Sequence, residues 1–453
     1  MNNRRSSLTA VAAITALVAA ACGGSSSGGS SPSGGTPSAS SSAAALGHFN
    51  GKSFTILGQW TGAEQKAFQS VIDGFDKLTG ASGKYSAAAG GDEASVLGAK
   101  VNGGNPPDVA FVSLPGALQQ YAKAGKLVPL GSAAQQAVNA NYSNEWVTLG
   151  SSNGKVYGVP FDASNKSTVW YNTKGFSNAG LSSTPNDWPT FIKDAQTLHD
   201  SGVQIPISVG GGDGWTLTDW FENVYLRTAG TAMYDKLTQH QIKWTDPSVA
   251  KALTTLKQVW GSPTLIGSPS NALKVPFTGS VDNTFKANPS SAIVYEASFV
   301  ATTITGDKLP AKVGVTAKFF PFPSINGSQP TLEAAGDFAV AFSNAPVVQA
   351  FLQYVASPEA AKELVSAPGS GFISANKNLS TSAYPDSTLA QLAQQLVSVG
   401  DNFRFDMSDQ APAAFGGTPN KGEWADLQAF LGNGNVSAAQ QKLEHDAAAA
   451  YGT

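Results

Sequence analysis

The sequence predicts an α/β fold with more than one domain. Short apolar runs of strand length alternate with amphipathic stretches of helix length, the connections between them are short, and the chain has 453 residues. Domains usually hold about 100–200 residues, so this length predicts two or three of them. The alternation also predicts largely parallel sheets. No repeat of roughly 20–50 residues is visible, which disfavours a solenoid or a propeller.

Four apolar runs predict buried strands at Ser53–Leu57, Asp108–Val112, Pro206–Val209 and Ala292–Tyr295. Helices are predicted where apolar residues recur on one face or where a capping pair begins the pattern. These helices are Glu64–Thr79 with Gly80 as its C-cap, Leu118–Lys126, and three that open at Asp246-Pro247, Pro346 and Ser357-Pro358. The run Gly210–Gly214 after the third strand predicts a tight turn.

The N-terminal segment reads as a secretory signal. Arg4 and Arg5 precede an apolar run of 14 residues, Leu8–Ala21, shorter than the about 20 that a membrane-spanning helix needs. The run ends in small residues directly before Cys22, which is similar to a bacterial lipobox except that Ala19 stands where Leu is usual. We therefore expect residues 1–21 to be removed and Cys22 to be lipidated. Ordinary cleavage after Ala21 without lipidation is the alternative.

Residues 22–46 are rich in Gly, Ser, Pro and Ala and predict a flexible tether. We expect a protein that is anchored by lipid to the outer face of the cell membrane. The charge and the cysteine and histidine content argue against several functional classes. With a net charge of −3 there is no basic surface for nucleic acid. One cysteine cannot form an intramolecular disulfide, and four scattered histidines do not suggest a metal centre. We expect no metal, no cofactor and a monomer.

No catalytic motif for a serine hydrolase, a P-loop enzyme or a zinc protease is present, so we predict a protein without catalytic residues. A glycoside hydrolase remains open, because it needs only two suitably spaced carboxylates. Carboxylates lie near aromatic residues at Asp92, Glu93, Asp213, Asp219, Glu222 and Glu296. The simpler interpretation is that these groups accept hydrogen bonds from ligand hydroxyls or from water.

The aromatic residues favour a sugar cleft. Nine tryptophans are present, and several lie in predicted loops rich in Gly, Asp or Asn rather than in periodic core runs. Trp60 follows the first strand, Trp215 and Trp220 follow the glycine turn, and Trp424 follows another glycine pair. Sugar sites combine flat aromatic surfaces, which pack against C–H faces, with polar groups at the edge. In an open α/β sheet such loops meet at the carboxyl ends of the strands.

Ordered motifs along residues 51–450 resemble the solute-binding proteins of ABC sugar importers, within the maltose-binding-protein superfamily, and closely an actinobacterial branch of alpha-glucoside and carbohydrate-binding lipoproteins. The motifs are Glu64–Phe68, Gly103–Val109, Tyr157–Pro160, Asn165–Asn172, Gly211–Glu222, Trp244–Pro247, Val294–Glu296, Phe320–Pro323, Ser357–Ala361 and Pro412–Gly417. No single motif is decisive, but their order and spacing together are specific.

The resemblance implies a type II periplasmic-binding-protein-like fold, in which two α/β lobes joined by hinge crossovers close on a ligand. Lobe one would comprise residues 50–162 and 325–377, and lobe two residues 163–324 and 378–453, with crossings near Pro160–Ala163 and Phe320–Pro323. The implied function is high-affinity binding of a carbohydrate, such as a di- or oligosaccharide alpha-glucoside, and its delivery to an ABC permease. A sugar-sensing or adhesion lipoprotein without transport is a further alternative.

We expect ligand contacts from fourteen residues, some carried over from the family and some chosen for their chemistry. They are Gln59, Trp60, Asp92, Glu93, Asn165, Asp213, Trp215, Asp219, Trp220, Tyr295, Glu296, Asp337, Arg404 and Trp424. The family's acidic residue after its second strand has no match here, where Ser113-Leu114-Pro115 stands. The identity of the sugar therefore does not follow from the resemblance.

Overall fold

The computed structural model describes residues 46–88 and 93–453. Its strands, numbered in chain order, are β1 Ser53–Gly58, β2 Ser82–Ala87, β3 Val109–Val112, β4 Ser151–Ser152, β5 Lys155–Val156, β6 Gly158–Pro160, β7 Ser164–Asn165, β8 Thr168–Asn172, β9 Ile207–Ser208, β10 Ile293–Tyr295, β11 Ala317–Pro321, β12 Glu333–Ala335, β13 Phe338–Ala341 and β14 Arg404–Phe405. Cys22 and Asp92 lie outside the described residues.

The α-helices are Gly62–Thr79, Glu93–Asn102, Pro115–Lys123, Ser132–Asn141, Asn144–Leu149, Thr173–Asn178, Trp188–Asp200, Trp215–Ala229, Thr231–Thr238, Pro247–Trp260, Pro263–Ile266, Pro269–Ala272, Phe277–Phe285, Val300–Gly306, Pro346–Val355, Pro358–Ser366, Ser387–Ser398, Met407–Gln410, Ala413–Gly416, Gly422–Asn433 and Val436–Tyr451. Short 3₁₀ turns occupy Thr381–Ala383 and Gly400–Asn402. None of the helices in these two described ranges has the length and apolarity to cross a bilayer.

Two predicted helix starts, at Asp246-Pro247 and at Ser357-Pro358, are confirmed by their caps, whereas the helices predicted from Glu64 and Leu118 begin at Gly62 and Pro115. Asp246 accepts a hydrogen bond from the backbone N–H of Ser248 ahead of the helix that begins at Pro247. Ser357 does the same for Ala360. Gly80 ends the first helix in the left-handed region at φ 75°, where its N–H bonds the Asp76 carbonyl. Each of these residue types satisfies backbone groups that a helix end leaves unpaired.

Two main sheets carry the fold. The first has the order β2-β1-β3-β13-β6, and the second has the order β11-β8-β10-β9. Only β1–β2, β1–β3 and β9–β10 pair in parallel within them, whereas β13 and β8 run antiparallel to both of their neighbours. The prediction of largely parallel sheets is therefore wrong. The chain leaves the first sheet after β6 and re-enters it at β13, which approaches from the opposite end.

A third, small sheet of order β14-β12-β7 lies at the passages between the two main sheets. It joins residues 164–165, 333–335 and 404–405, so three distant parts of the chain pair there. The second crossing between the lobes, which the sequence predicts at Phe320–Pro323, lies further along the chain. Phe320 and Pro321 pair with β8 inside the second sheet, and the chain reaches the third sheet only at Glu333.

The buried apolar side chains form two clusters. One surrounds the first sheet and includes Phe68, Phe111 and Phe351, and the other surrounds much of the second and includes Phe191, Trp220 and Trp244. Residues Tyr384–Phe405 contribute to the first cluster, although they follow the last strand of the first sheet by more than a helix. The first cluster also includes Trp170, Val294 and Ala317 from strands of the second sheet, so the two clusters do not strictly follow the two main sheets.

Candidate functional site

A cleft of about 630 Å³ lies beside the small sheet. Its lining comes from the ends of β1 and β3, from the passages after β6, β12 and β14, and from the start of the helix Trp215–Ala229. Because β1 and β3 are parallel, their carboxyl ends meet at one edge, where ligands of open α/β sheets bind. The lining includes Gln59, Trp60, Glu64, Glu93, Ser113, Asp162, Lys166, Trp215, Ser298, Phe299, Asp337, Phe372, Asp406, Ser408, Asp409 and Trp424.

One wall of the cleft is aromatic. Trp215 packs against Phe277 and Phe299 with ring centroids 5.3 and 5.9 Å away, and its side chain is only partly buried. Gly214, at φ +85°, precedes it, and a Cβ there would come within 2.9 Å of the Trp424 Cβ. Only glycine permits both that conformation and that approach. The turn therefore brings the Trp215 and Trp424 backbones together at the cleft.

The opposite wall holds Trp60 and Phe372, with rings 5.5 Å apart and nearly perpendicular at 89°. Trp60 is buried against Phe68, Phe111 and Phe161. It therefore contributes to the core as well as to the lining, and only a small part of its ring can meet a ligand.

Carboxyl groups form one end of the cleft. The Gln59 side-chain amide donates to both oxygens of Asp337, at 3.1 Å each, and the Asp337 backbone N–H donates to Asp162 at 2.7 Å. The Asp162 and Asp337 carboxyl groups also share a hydrogen bond. Burial raises the pKa of Asp337 to about 6. Burial, followed by the charge of Asp337, raises the pKa of Asp162 and that of Glu64. Burial therefore favours the protonated form of both adjacent carboxyl groups.

A buried ion-pair triad forms the floor near the small sheet. Lys166 Nζ lies 3.0 Å from Asp219 Oδ1 and also bonds Asp406 Oδ2. Burial alone would lower the pKa of Lys166, but the charges of Asp219 and Asp406 outweigh it and hold that pKa well above its usual range. For Asp406, burial is likewise outweighed by Lys166, and the pKa is lowered. Burial raises the pKa of Asp219 to about 6.

The triad connects to a polar network behind the cleft. The Asn223 amide lies 3.1 Å from the Lys166 carbonyl and 2.5 Å from the Tyr295 hydroxyl, and it also bonds Glu333. Glu222 accepts a hydrogen bond from Tyr234 at 2.6 Å and from the Ser408 N–H at 3.1 Å. The helix Trp215–Ala229 is thereby fixed to all three passages of the small sheet. Buried polar contacts between distant segments favour a single arrangement of the elements they join.

Carboxylate oxygens of Asp219, Glu333 and Asp406 lie within 4.8 Å of one another, a spacing that a metal ion could bridge. Lys166 already bonds Asp219 and Asp406. Its ammonium supplies the positive charge at this place, so the arrangement fits an internal ion pair rather than a metal site.

Six of the fourteen predicted contact residues line the cleft: Gln59, Trp60, Glu93, Trp215, Asp337 and Trp424. Asp213 lies at its margin, where its carboxylate accepts the Phe277 N–H at 2.7 Å and so positions a ring that packs on Trp215. Asn165 bonds Gln395 and the Ser167 N–H within the small sheet region. Asp219 lies one layer behind the lining, paired with Lys166.

Four predicted residues are directed away from the lining. Trp220 is buried in the second cluster, packed on Tyr295 at 4.6 Å, and the prediction that it lies in a loop is wrong because the helix begins at Trp215. The Tyr295 hydroxyl lies 2.8 Å from the Lys166 carbonyl. Glu296 faces Asp219, and burial together with that charge raises its pKa well above the usual value. Arg404 forms a two-point contact with Asp235 outside the cleft.

Several lining residues were not predicted from the sequence. They are Glu64, Asp162, Lys166, Ser298, Phe299, Phe372, Asp406, Ser408 and Asp409. Phe299 follows the strand β10, and Lys166 lies within a motif shared with the family, so both had a signal. Asp406 and Asp409 carried none, because a two-residue strand such as β14 leaves no pattern in the sequence.

Comparison with known proteins gives consistent matches. The family described as bacterial extracellular solute-binding protein matches residues 59–362. The osmoprotective compounds-binding protein GgtB of Synechocystis sp. is 31% identical over 402 residues, which cover 87% of this chain and 92% of GgtB. The alpha-glucosides-binding periplasmic protein AglE of Rhizobium meliloti is 29% identical over 87% of this chain and 88% of its own length.

Solved structures share the fold. The bacterial solute receptor AcbH, described as having an exclusive preference for β-D-galactopyranose, superposes with a TM-score of 0.74 at 19% identity. The superposition covers 88% of this chain and 99% of AcbH. At that identity the similarity bears on the fold alone, and it supports the type II arrangement of two sheets beside a cleft.

Proposed function

The chain belongs to the family of bacterial extracellular solute-binding proteins, and from this premise we propose that it binds a carbohydrate in the cleft and delivers it to the permease of an ABC importer. The ligand class that we propose is a di- or oligosaccharide such as an alpha-glucoside. The family is one of binding proteins, and no step of catalysis forms part of the proposal.

One observation carries the choice of a carbohydrate: a partly exposed aromatic wall faces a polar, carboxyl-lined surface across about 630 Å³. Trp215, with Phe299 beside it, offers a flat apolar face for the C–H side of a pyranose. In the same cleft, Asp337 and Asp409 offer oxygens that accept hydrogen bonds from hydroxyl groups. An anionic ligand is disfavoured, because the one lysine of the described lining is already paired with two carboxylates.

The relatives support the same class. AglE is an alpha-glucosides-binding protein and GgtB is an osmoprotective compounds-binding protein. Each alignment covers 87% of the present chain. At about 30% identity the fold and general class transfer between relatives, whereas the individual sugar does not.

We propose that two lobes close on the sugar by bending at the small sheet β14-β12-β7. Its three passages lie between the two main sheets, and short connecting segments are where a hinge absorbs a change in backbone angle. Lobe one corresponds to residues 50–162 and 325–377 and lobe two to residues 163–324 and 378–453. The difference in binding energy between the open and closed forms drives closure.

We further propose that Cys22 is lipidated and holds the protein at the outer face of the membrane, with residues 22–46 as the tether. The lipobox-like end of the apolar run and the single cysteine support this proposal. It agrees with the extracellular place of the family.

A thermal-shift screen tests the carbohydrate proposal, because a ligand that binds only the folded state raises the melting temperature. The panel contains maltose, trehalose, sucrose, raffinose and galactose, with glutamate, arginine and phosphate as ligands of other classes. At least one of the sugars should raise the melting temperature, whereas glutamate, arginine and phosphate should leave it unchanged. Hydrolysis of p-nitrophenyl α-glucoside by the pure protein would instead support the glycoside hydrolase, and shifts by the non-sugar ligands alone would reject a carbohydrate.

A further inference from the structure

Lys166 has an unused hydrogen-bond donor at the cleft. An ammonium group has three N–H donors and no acceptor. Two of them bond Asp219 and Asp406. Within residues 46–88 and 93–453 the third has no acceptor, although Lys166 is part of the lining and 7% of its surface remains exposed. A buried donor without a partner is costly, so a ligand that accepts from it gains binding energy.

The same donor lies above the aromatic wall. Lys166 Nζ is 5.8 Å from the centroid of the Trp215 ring. A pyranose that packs on the part of the Trp215 ring beside Nζ would bring a ring hydroxyl within hydrogen-bond reach of the ammonium.

Asp409 is a second polar group without a partner at this place. Its backbone N–H donates to Asp406 at 2.8 Å, but no donor among the described residues reaches its side chain. It is part of the lining and only partly buried. Burial raises its pKa first, the charge of Asp406 raises it further, and Lys166 acts in the opposite direction. Asp406 connects the two residues, because its Oδ2 bonds Lys166 Nζ and its Oδ1 accepts the Asp409 N–H.

From these positions we propose that Lys166 and Asp409, which line the same cleft as Trp215, form a subsite that recognises two adjacent hydroxyl groups of one pyranose ring. The remaining N–H of Lys166 donates to one ligand oxygen, and an Asp409 side-chain oxygen accepts from the neighbouring hydroxyl. This subsite rests on the proposed carbohydrate function and deepens it. It also assigns Asp219 and Asp406 as positioning residues, because they fix the ammonium and leave one donor free.

A double-mutant cycle with modified sugars tests the subsite. Maltose and its monodeoxy derivatives are titrated by calorimetry into the wild type, Lys166→Met and Asp409→Ala. In the wild type, removal of either of two adjacent hydroxyls should weaken binding about ten- to hundredfold, the range for hydrogen bonds to charged groups. In Lys166→Met, removal of one of these two hydroxyls should no longer weaken binding. In Asp409→Ala, the same should hold for removal of the adjacent hydroxyl. The exposed-site variants Lys243→Met and Asp200→Ala are the matched controls and should retain both losses.

The outcomes separate the subsite from the function on which it rests. If no sugar of the panel binds the wild type, the carbohydrate proposal fails. If another panel sugar binds in place of maltose, its own monodeoxy derivatives enter the same cycle. Should Lys166→Met fail to fold, Lys166→Met/Asp219→Asn removes the stranded charge. If removal of each single hydroxyl weakens binding equally in the wild type and in Asp409→Ala, the subsite is overturned. The carbohydrate function would stand in that case.

Discussion

The Gln59 side-chain amide donates to both carboxylate oxygens of Asp337, at 3.1 Å each, across 278 positions of sequence. This contact connects the end of β1 to the segment between β12 and β13. It also places a neutral donor, rather than a cation, against a buried carboxyl group that has Asp162 on its other side. Without a cation, burial dominates, and it raises the pKa of Asp337 to about 6.

The raised pKa of Asp337 predicts a pH-dependent stability. Its unfolded pKa is about 3.9, so between that value and about 6 the folded state holds a proton that the unfolded state has lost. Folding stability should therefore fall as the pH rises through this window, and the loss should be complete above it. In Asp337→Asn, urea unfolding between pH 4 and pH 7 should show a weaker decline than in the wild type. The exposed-site variant Asp200→Asn serves as the control, and an identical pH profile for Asp337→Asn would contradict the assignment.

Substitution of Trp215 should affect sugar binding and substitution of Trp220 should affect stability, although the two residues are five positions apart on one helix. Trp215 lines the cleft, whereas Trp220 is 1% exposed in the second cluster. Trp215→Ala should weaken sugar binding by about 1.5–3 kcal/mol, or roughly ten- to hundredfold, for the loss of an apolar contact face. Trp220→Ala should instead lower the free energy of unfolding by about 3–5 kcal/mol. Calorimetric affinity and unligated melting temperature are measured for both. A large stability loss in Trp215→Ala with unchanged affinity would exclude it from the site.

Gly371 and Thr302 provide a test of lobe closure. They lie in different proposed lobes, both line the cleft, and a Cβ at position 371 would come within 1.8 Å of the Thr302 hydroxyl. Gly371→Ala should therefore hold the walls apart and weaken sugar binding about five- to hundredfold, the range for overpacking. Small-angle scattering should show that sugar reduces the radius of gyration of the wild type but reduces it less in this variant.

Gly371→Ala/Thr302→Gly removes the obstructing side chain and should restore the ligand-induced decrease. A radius of gyration that stays constant in the wild type at saturating sugar would show a rigid site and would reject closure at the small sheet.

Cys22→Ala should release the protein from the cell surface. If Cys22 carries the lipid, the wild type should fractionate with membranes and incorporate labelled palmitate, and the variant should appear in the medium. Ser25→Ala, three positions further along the tether, is the matched control and should stay with the membrane. A Cys22→Ala protein that remains bound to the membrane would contradict lipid anchoring at this residue.

The extent to which the sequence predicts this protein depends on how local each signal is. Helix caps such as Asp246 and Ser357 act within one turn, so their residues suffice to place a helix start. The helix Trp215–Ala229 was missed because every residue from Thr216 to Arg227 is buried. A helix surrounded on all sides loses the one-sided apolar periodicity by which helices are recognised.

The residues that line the cleft likewise differ in whether a local sequence pattern identifies them. Trp215 follows a glycine turn and Gln59 follows a strand, so local patterns identified both as candidates. Lys166, Asp406 and Asp409 meet only because three passages of the chain pair in one small sheet. The direction of β13 also depends on that crossing, which is why the sheets are mixed rather than parallel. Such contacts between distant segments leave no trace in the spacing of residues.

Isothermal titration of the wild-type protein with maltose, trehalose, sucrose, raffinose and galactose tests the central claim most directly, because it measures affinity and stoichiometry together. We predict saturable binding of at least one of these sugars with a one-to-one stoichiometry and a micromolar or lower dissociation constant, and a roughly ten- to hundredfold weaker binding in Trp215→Ala. Absence of binding heat for all five, together with saturable binding of glutamate, arginine or phosphate, would contradict a carbohydrate-binding cleft.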